Sequence, residues 1–437
     1  MSETNLTQAA ALNGKTQADF SSTLSRDFGS TLVTQIGLLG LGAFTSVAAA
    51  RILGPQGRGE LVALTVWTLA LVQVVALGMN QSVVFHTGKK LFSISEIWTS
   101  SAAIGAAQAV LVVSIGLAVV PLALRGYTSE VRRLGVIFLT ATPVLLFLGG
   151  SYPANILQGM VDLNSFNLVS LAAPVAYAVG LTIIAALHSR ELSWAVAAQV
   201  AGYASSSVLG YWLFSRRHLI RIRWNGAACS SLLKYGWKTQ LGSVSNYVNQ
   251  RLDQLLLSLF VPPRELGLYA VAVAVTSVVG FLPGALGIVT LAKGSNLGLQ
   301  DATKLVSNSF RLSVASLVLL CGGLFLVAPW LIHLVLGREF VNSTLPCRIL
   351  LPGTVALGTA RVLYDGARAL GDPILAFYAE GAAMAVTCGG LYLLLPRYGI
   401  VGAALTSSLA YSFALAVVLA LFRVRLGIGL KDLLFGR

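Results

Sequence analysis

The residues of this chain best suited to chemistry lie where charge is costly, inside long apolar stretches. In QLGSVSNYVNQRLDQLLLSLF (240–260) the polar side chains recur at i, i+3 and i+4, as Ser245 and Asn246, Asn249 and Gln250, Asp253 and Gln254. That spacing puts them on one face of a helix, with 246, 250 and 253 in a single stripe. Such a stripe can hydrogen-bond hydroxyls or water. Arg251 lies beside it and offers a planar fork to phosphate oxygens. The competing reading is that these side chains only cross-link helices, with Arg251 and Asp253 balancing each other's charge.

A second group lies in ARVLYDGARALGD (360–372), where Asp365 is spaced to pair with Arg361 or Arg368. These three residues form either an interfacial salt bridge that ends a helix or an inner gate. Arg51 closes the first apolar stretch, where a cation suits a helix C-terminus. It is read as a cap or as an outer gate. Gln35 is the polar residue of that first stretch. Glu380 is an acid inside another and is a candidate for ion coupling by H+ or Na+, or for an interhelical pair with an arginine. Gln73, Asn80, Gln81, Gln108 and Arg311 are further polar residues in or near spans.

Other chemistries are not encoded. No GxxxxGK[ST] loop is present, so the chain is not itself an ATPase. No carboxylate pair or nucleophile triad sits in a loop long enough to build an active site, and no enzyme activity is expected. His86, His188, His218 and His333 are isolated, as are Cys229, Cys321, Cys347 and Cys388. Neither set has metal-ligand spacing, so no metal or other cofactor is expected.

These residues must be carried by elements that live in lipid. Of 437 residues, 56% are hydrophobic and only 11% charged. Mean hydropathy is +0.79. Soluble chains carry about 25% charge. Twelve candidate spans emerge, at 30–50, 61–84, 97–121, 134–158, 165–187, 193–214, 237–260, 267–291, 309–335, 346–364, 373–395 and 400–422. The expected fold is therefore an all-α membrane protein.

The chain also repeats itself. RILGPQGRGELVALTVW (51–67) returns altered as LFVPPRELGLYAVAVAV (259–275), with Gly59 on Gly267 and Pro55 on Pro263. LQGMVDLNS (157–165) falls on YDGARALGD (364–372), at an offset of 207 against 208 for the first pair. The stretch holding Gln199 and Tyr203 is matched to that holding Thr406 and Tyr411. Two parallel six-helix lobes related by a pseudo-two-fold axis follow, at 29–214 and 237–424. A polar tail (1–28), a basic connector (215–236) and a second tail (425–437) complete the expected organisation. Spans 1 and 7 are repeat equivalents and should face each other across the axis. Gly59 and Gly267 are read as sites of close helix contact, and Gly54-Pro55 and Pro262-Pro263 as turn formers.

Net charge is +14. Its distribution points to a membrane and excludes nucleic acid as the partner. With the N-terminus inside, 19 of the 30 Lys and Arg lie on the cytoplasmic side. Both termini are therefore expected in the cytoplasm and the chain in the inner membrane. The connector interleaves charge with apolar residues and is expected to lie along the lipid surface.

At the repeats a family resemblance enters. ARILGPQGRGELVAL after span 1, DQLLLSLFVPPRELGLYAVAVAV at spans 7–8, LGREFVNSTLPCRILLPG before span 10 and PRYGIVGAALTSSLAYSFAL at span 12 resemble signatures of the polysaccharide flippases. These are the Wzx-type transporters of the MATE/MurJ-like superfamily. Arg51 falls in the first signature, and Asp253 matches a recurrent acidic residue of the second. The resemblance implies a MATE-like fold and translocation of a lipid-linked oligosaccharide, usually on undecaprenyl diphosphate. Membrane lipids and a polysaccharide polymerase or export machinery would be its partners, and an ion gradient its drive. No sign of a thirteenth or fourteenth span is present, which disfavours a peptidoglycan precursor as substrate. The alternatives are a MATE-type drug or cation antiporter, which would want acidic cavity residues, and a membrane glycan polymerase or ligase, which would want a large outer loop.

Overall fold

The computed structural model describes residues 3–217, 221–294, 297–372 and 374–435. Side chains at 3–29, 31–32, 217, 241–243, 245–246, 248–249, 288, 292 and 435 lie outside this description. The described residues form helices with no strand. In order these are α1 (Glu3–Val75), α2 (Met79–Gly88), α3 (Ile94–Ala123), α4 (Ser129–Pro143), α5 (Ser151–Gly159), α6 (Leu163–Ala186) and α7 (Leu192–Arg217). The second half holds α8 (Gly226–Phe260), α9 (Pro263–Ser277), α10 (Phe281–Gly294), α11 (Leu299–Val335), α12 (Thr344–Ala369), α13 (Ile374–Leu426) and α14 (Leu430–Phe435). A π-helical stretch, Val144–Gly150, joins α4 to α5, and one 3₁₀ turn, Val278–Gly280, joins α9 to α10.

Seven of the described helical segments are long and apolar enough to cross a membrane. Two of the longest helices are each bent at a glycine. In α1 the bend is at Gly54 (φ 67°) and in α13 at Gly399 (φ 52°), a left-handed geometry that side chains disfavour. Helix starts are set locally. Ser93 and Glu96 form a reciprocal capping box on α3, and the Asn225 side chain accepts from the N–H groups of Ala227 and Ala228 at the start of α8. Residues 226–236, expected as connector, thus open α8 and run on into the span. Of the expected connector's described residues beyond Arg217, 221–225 are non-helical, and 218–220 lie outside the described residues.

The second arm of α1 packs on α9, and this junction joins the two halves. A Cβ on Gly59 would overlap the carbonyl oxygen of Pro263, and a Cβ on Gly267 would overlap that of Pro55. The contact is reciprocal, as a pseudo-two-fold axis requires. A second pair of corresponding contacts lies deeper. Gly149 packs against Ser207, whose hydroxyl donates to the Leu145 carbonyl; Gly353 packs against Ser408, whose hydroxyl donates to the Ile349 carbonyl. Ser207 and Ser408 correspond at a shorter offset than the sequence match of Tyr203 with Tyr411, so the register of the repeat shifts between its start and its end.

The span expected at 61–84 is broken. Leu77 and Gly78 both have positive φ, and α1 ends at Val75 before α2 begins. Inside a bilayer such a break survives only if protein groups satisfy the freed backbone. Two glutamines do so. Gln240 on α8 donates to the carbonyls of Gln73 (2.5 Å) and Val74 (3.2 Å) and accepts from Gly78 N–H (2.6 Å). Gln108 on α3 donates to the carbonyls of Val75 (2.8 Å) and Ala76 (2.9 Å) and accepts from the Tyr152 hydroxyl. The first turns of α8 are held on α2 as well, through Ser82 to the Leu232 carbonyl, His86 to Ser231, and Phe85 stacked on Tyr235.

Candidate functional site

A cavity of about 810 Å³ lies between the halves. It is walled by α1 on both sides of the Gly54 bend, by α8 and α9, and by part of α12, with Tyr177, Gln199 and Tyr411 from α6, α7 and α13. Small and apolar residues of α1, such as Gly40, Gly42 and Ala43, line it together with Gln250, Arg251, Asp253 and Gln254 of α8. Of the polar stripe read from the sequence, Gln250, Asp253 and Gln254 are among the cavity's lining residues. Asn246 and Asn249 have side chains outside the described residues. Gln35 is exposed and is not among the cavity residues, because α1 turns Ile36, Leu39 and Ala43 inward instead.

Three arginines and one carboxylate line this cavity: Arg58, Arg251, Arg361 and Asp253. Arg251 donates to Gln254 (3.0 Å), three residues on. It does not pair with Asp253, because residues two apart on a helix point away from each other. Asp253 is spent on structure. One carboxylate oxygen accepts from the Tyr269 hydroxyl and from Ser407 (3.3 Å), the other from Gln254 N–H (2.7 Å), and the residue is 4% exposed. These bonds tie α8 to α9 and α13.

Arg58 lies between the expected spans at 30–50 and 61–84, among the charges expected on the outer side, and its spacing does not single it out. The chain resumes its helix after Gly54, so Arg58 lies on the cavity wall. Its Nη2 donates to Ser46 (3.1 Å), and its Nε is buried with no partner. Among the described residues, neither Arg58 nor Arg251 has a carboxylate within 4.0 Å. The one available signal was the recurrence of arginine seven residues after Arg51, within one repeat motif.

The candidate gates separate. Arg51 does not cap its own helix; its Nη2 donates to the Leu334 carbonyl (2.7 Å) at the end of α11, across the two halves. Asp365 pairs with Arg368 (2.8 Å), and its carboxylate lies where a Cβ on Gly287 of α10 would go. That pair is internal to the second half. Arg361 is not part of it and points to the cavity. Glu380 is 8% exposed and sits near Tyr364 and Tyr411. Tyr411 lines the cavity together with Arg251, Asp253 and Arg361. Among the described residues no cluster of His, Cys, Asp and Glu could hold a metal ion.

The fold is the one seen in MATE and MurJ proteins. An inward-facing MATE family multidrug resistance transporter of the MOP superfamily is similar, with TM-score 0.75 and 14% identity over 89% of this chain and 94% of that one. Lipid II flippase MurJ in an inward closed conformation is similar as well, with TM-score 0.72 and 16% identity over 91% and 87%. An outward-facing MATE family transporter gives TM-score 0.57 at 15% identity over 91% and 93%. At these identities the likeness is one of fold. No curated protein matches the chain. The family profile described as "Polysaccharide biosynthesis protein" matches residues 48–345. The chain belongs to that family.

Proposed function

We propose that this protein is a flippase that carries a lipid-linked oligosaccharide, on a diphosphate of the undecaprenyl type, from the cytoplasmic to the outer leaflet of the inner membrane. Twelve spans in two lobes, at 29–214 and 237–424, would rock against each other with both termini in the cytoplasm. The observation that carries the reading is that Arg58 and Arg251 line one cavity and, among the described residues, neither has a carboxylate within 4.0 Å. A diphosphate leaving water requires such donors, because an unpaired charge in hydrocarbon costs several kcal/mol. Amides and tyrosines beside them suit sugar hydroxyls. Three arginines against one carboxylate also argue against a cation substrate.

The outer ends meet through Gly59, Gly267 and Arg51, which suits a state loaded from the cytoplasmic side. Arg51 acts as an outer gate in this scheme. Asp365 and Arg368 stay together within the second lobe and do not serve as an inner one. Glu380 near Tyr364 is the proposed site of coupling to H+ or Na+. A glycan polymerase or export complex would take the product. The test is a reconstituted assay: purified protein in vesicles holding a fluorescent undecaprenyl-diphosphate glycan, with outward movement read by an impermeant quencher. Movement no faster than in protein-free vesicles would reject the flippase reading.

A further inference from the structure

A second hollow adjoins the cavity. It is a groove of about 550 Å³ between α1, α9 and α11, and its walls are almost wholly apolar. Along α11 the lining residues include Leu320, Gly323, Val327 and Leu331, three and four apart, so they form one stripe. From Leu319 to Leu336 the stripe runs about 25 Å at 1.5 Å per residue. That approaches the thickness of a bilayer's hydrocarbon core, about 30 Å. The groove opens sideways: Leu319, Leu320 and Val327 are 76%, 46% and 45% exposed.

Cavity and groove adjoin each other. Ala43, Ser46, Ala274 and Val278 border both. Ser46 is the sole polar side chain among the groove's described lining residues, and its hydroxyl accepts from Arg58. The guanidinium with an unpartnered Nε therefore stands at the mouth where the cationic chamber gives way to the apolar one. A chamber that carries arginines and amides, beside one that is almost wholly apolar, with a cation at their border, complements an amphiphile with an anionic junction between a polar head and a hydrocarbon chain.

We infer that the groove is the path of the substrate's isoprenoid tail, held alongside α11 while the diphosphate rests at Arg58 and the glycan fills the cavity. The inference rests on the flippase reading and specifies where that substrate's lipid lies. The groove adds little affinity, since the tail is already in an apolar solvent. What it provides is position. A tail laid against α11 fixes the junction phosphate opposite Arg58 and keeps the chain out of the polar chamber as the lobes move.

The test uses the full chain in lipid nanodiscs containing phospholipid and a trace of undecaprenyl diphosphate. A photoreactive benzoylphenylalanine is placed at Val327, in the groove, or at Leu326, which is 75% exposed and outside it. Val327 should yield undecaprenyl diphosphate adducts far above its share of the lipid, while Leu326 yields phospholipid adducts. Arg58→Ala should remove that enrichment. Adducts at Val327 that merely follow lipid abundance would mean the groove holds annular phospholipid, and the inference fails while the flippase reading stands. Absence of translocation by the unaltered protein in the vesicle assay would remove both.

A second arm uses two neighbouring glycines. A Cβ at Gly322 or Gly323 meets nothing within 4 Å, yet only Gly323 lines the groove. Gly323→Trp should slow translocation by roughly tenfold or more, and Gly322→Trp should not, at equal membrane abundance. Equal rates in the two variants would overturn the proposal.

Discussion

Gly59 and Gly267 let the two halves meet backbone to backbone, each leaving room for the carbonyl of the other half's proline, Pro263 or Pro55, where a side chain would go. The two glycines are sequence equivalents, and the contact is the same one read from either side. Helices this close gain dispersion contacts along their whole crossing and are expected to seal the cavity at that end.

Gly59→Val should hold that end open. The added carbons would overlap the Pro263 carbonyl and cannot be absorbed by a side-chain rotation. In a background without native cysteines, a cysteine at cavity residue Thr65 should react faster with an impermeant thiol reagent added from the Arg51 side. An unchanged labelling rate would show that this contact is not the seal.

Arg251→Ala and Arg58→Ala should each cut glycan export by roughly tenfold or more at normal membrane abundance. A charge-assisted hydrogen bond contributes about 1.5–3 kcal/mol, and about 1.4 kcal/mol of barrier is a factor of ten. Lys should rescue each in part, keeping charge but not the fork. Complementation of a flippase-deficient strain with parallel immunoblots reads this. Export at the normal rate by both variants would exclude them as diphosphate ligands.

Tyr269→Phe should lower stability without touching the arginines. It leaves the buried Asp253 carboxylate short of one donor, a loss of about 1–3 kcal/mol. The unfolding temperature of purified protein in detergent should fall, and Ser407→Ala should add to the fall. A transport defect with no change in unfolding temperature would instead assign Asp253 a role in transport.

Gln240→Leu should be more damaging than its neutral charge suggests. It strands Gly78 N–H and removes the donor to the Gln73 and Val74 carbonyls at the break before α2. Several kcal/mol are at stake if no water replaces the amide. Membrane abundance should drop sharply. Wild-type abundance and unfolding temperature would mean that water reaches the break.

Reporter fusions should place Gly226 and the C-terminal end on the cytoplasmic side. The 19 of 30 Lys and Arg on that side set the expectation. Periplasmic reporter activity from either fusion would invert the proposed direction of transport.

The sequence by itself determined the solvent, the repeat and the polar face of α8. Each is a property of composition or local spacing: 56% hydrophobic residues cannot stay in water, and an i, i+3, i+4 pattern has one helical solution. It also marked Gly59 and Gly267, because a close crossing in lipid wants small residues. Only the tertiary structure decided which charges are available. Arg251 and Asp253 looked like partners along the chain, yet Tyr269 and Ser407 claim the carboxylate and Gln254 takes the arginine. Arg58 read as an outer-loop charge until the bend at Gly54 carried it to the cavity wall. The break before α2 was likewise hidden, since its stability rests on Gln108 and Gln240, distant residues whose amides replace the missing helical bonds. Long-range pairing selects one partner among several compatible ones, and helical periodicity carries no information about that choice.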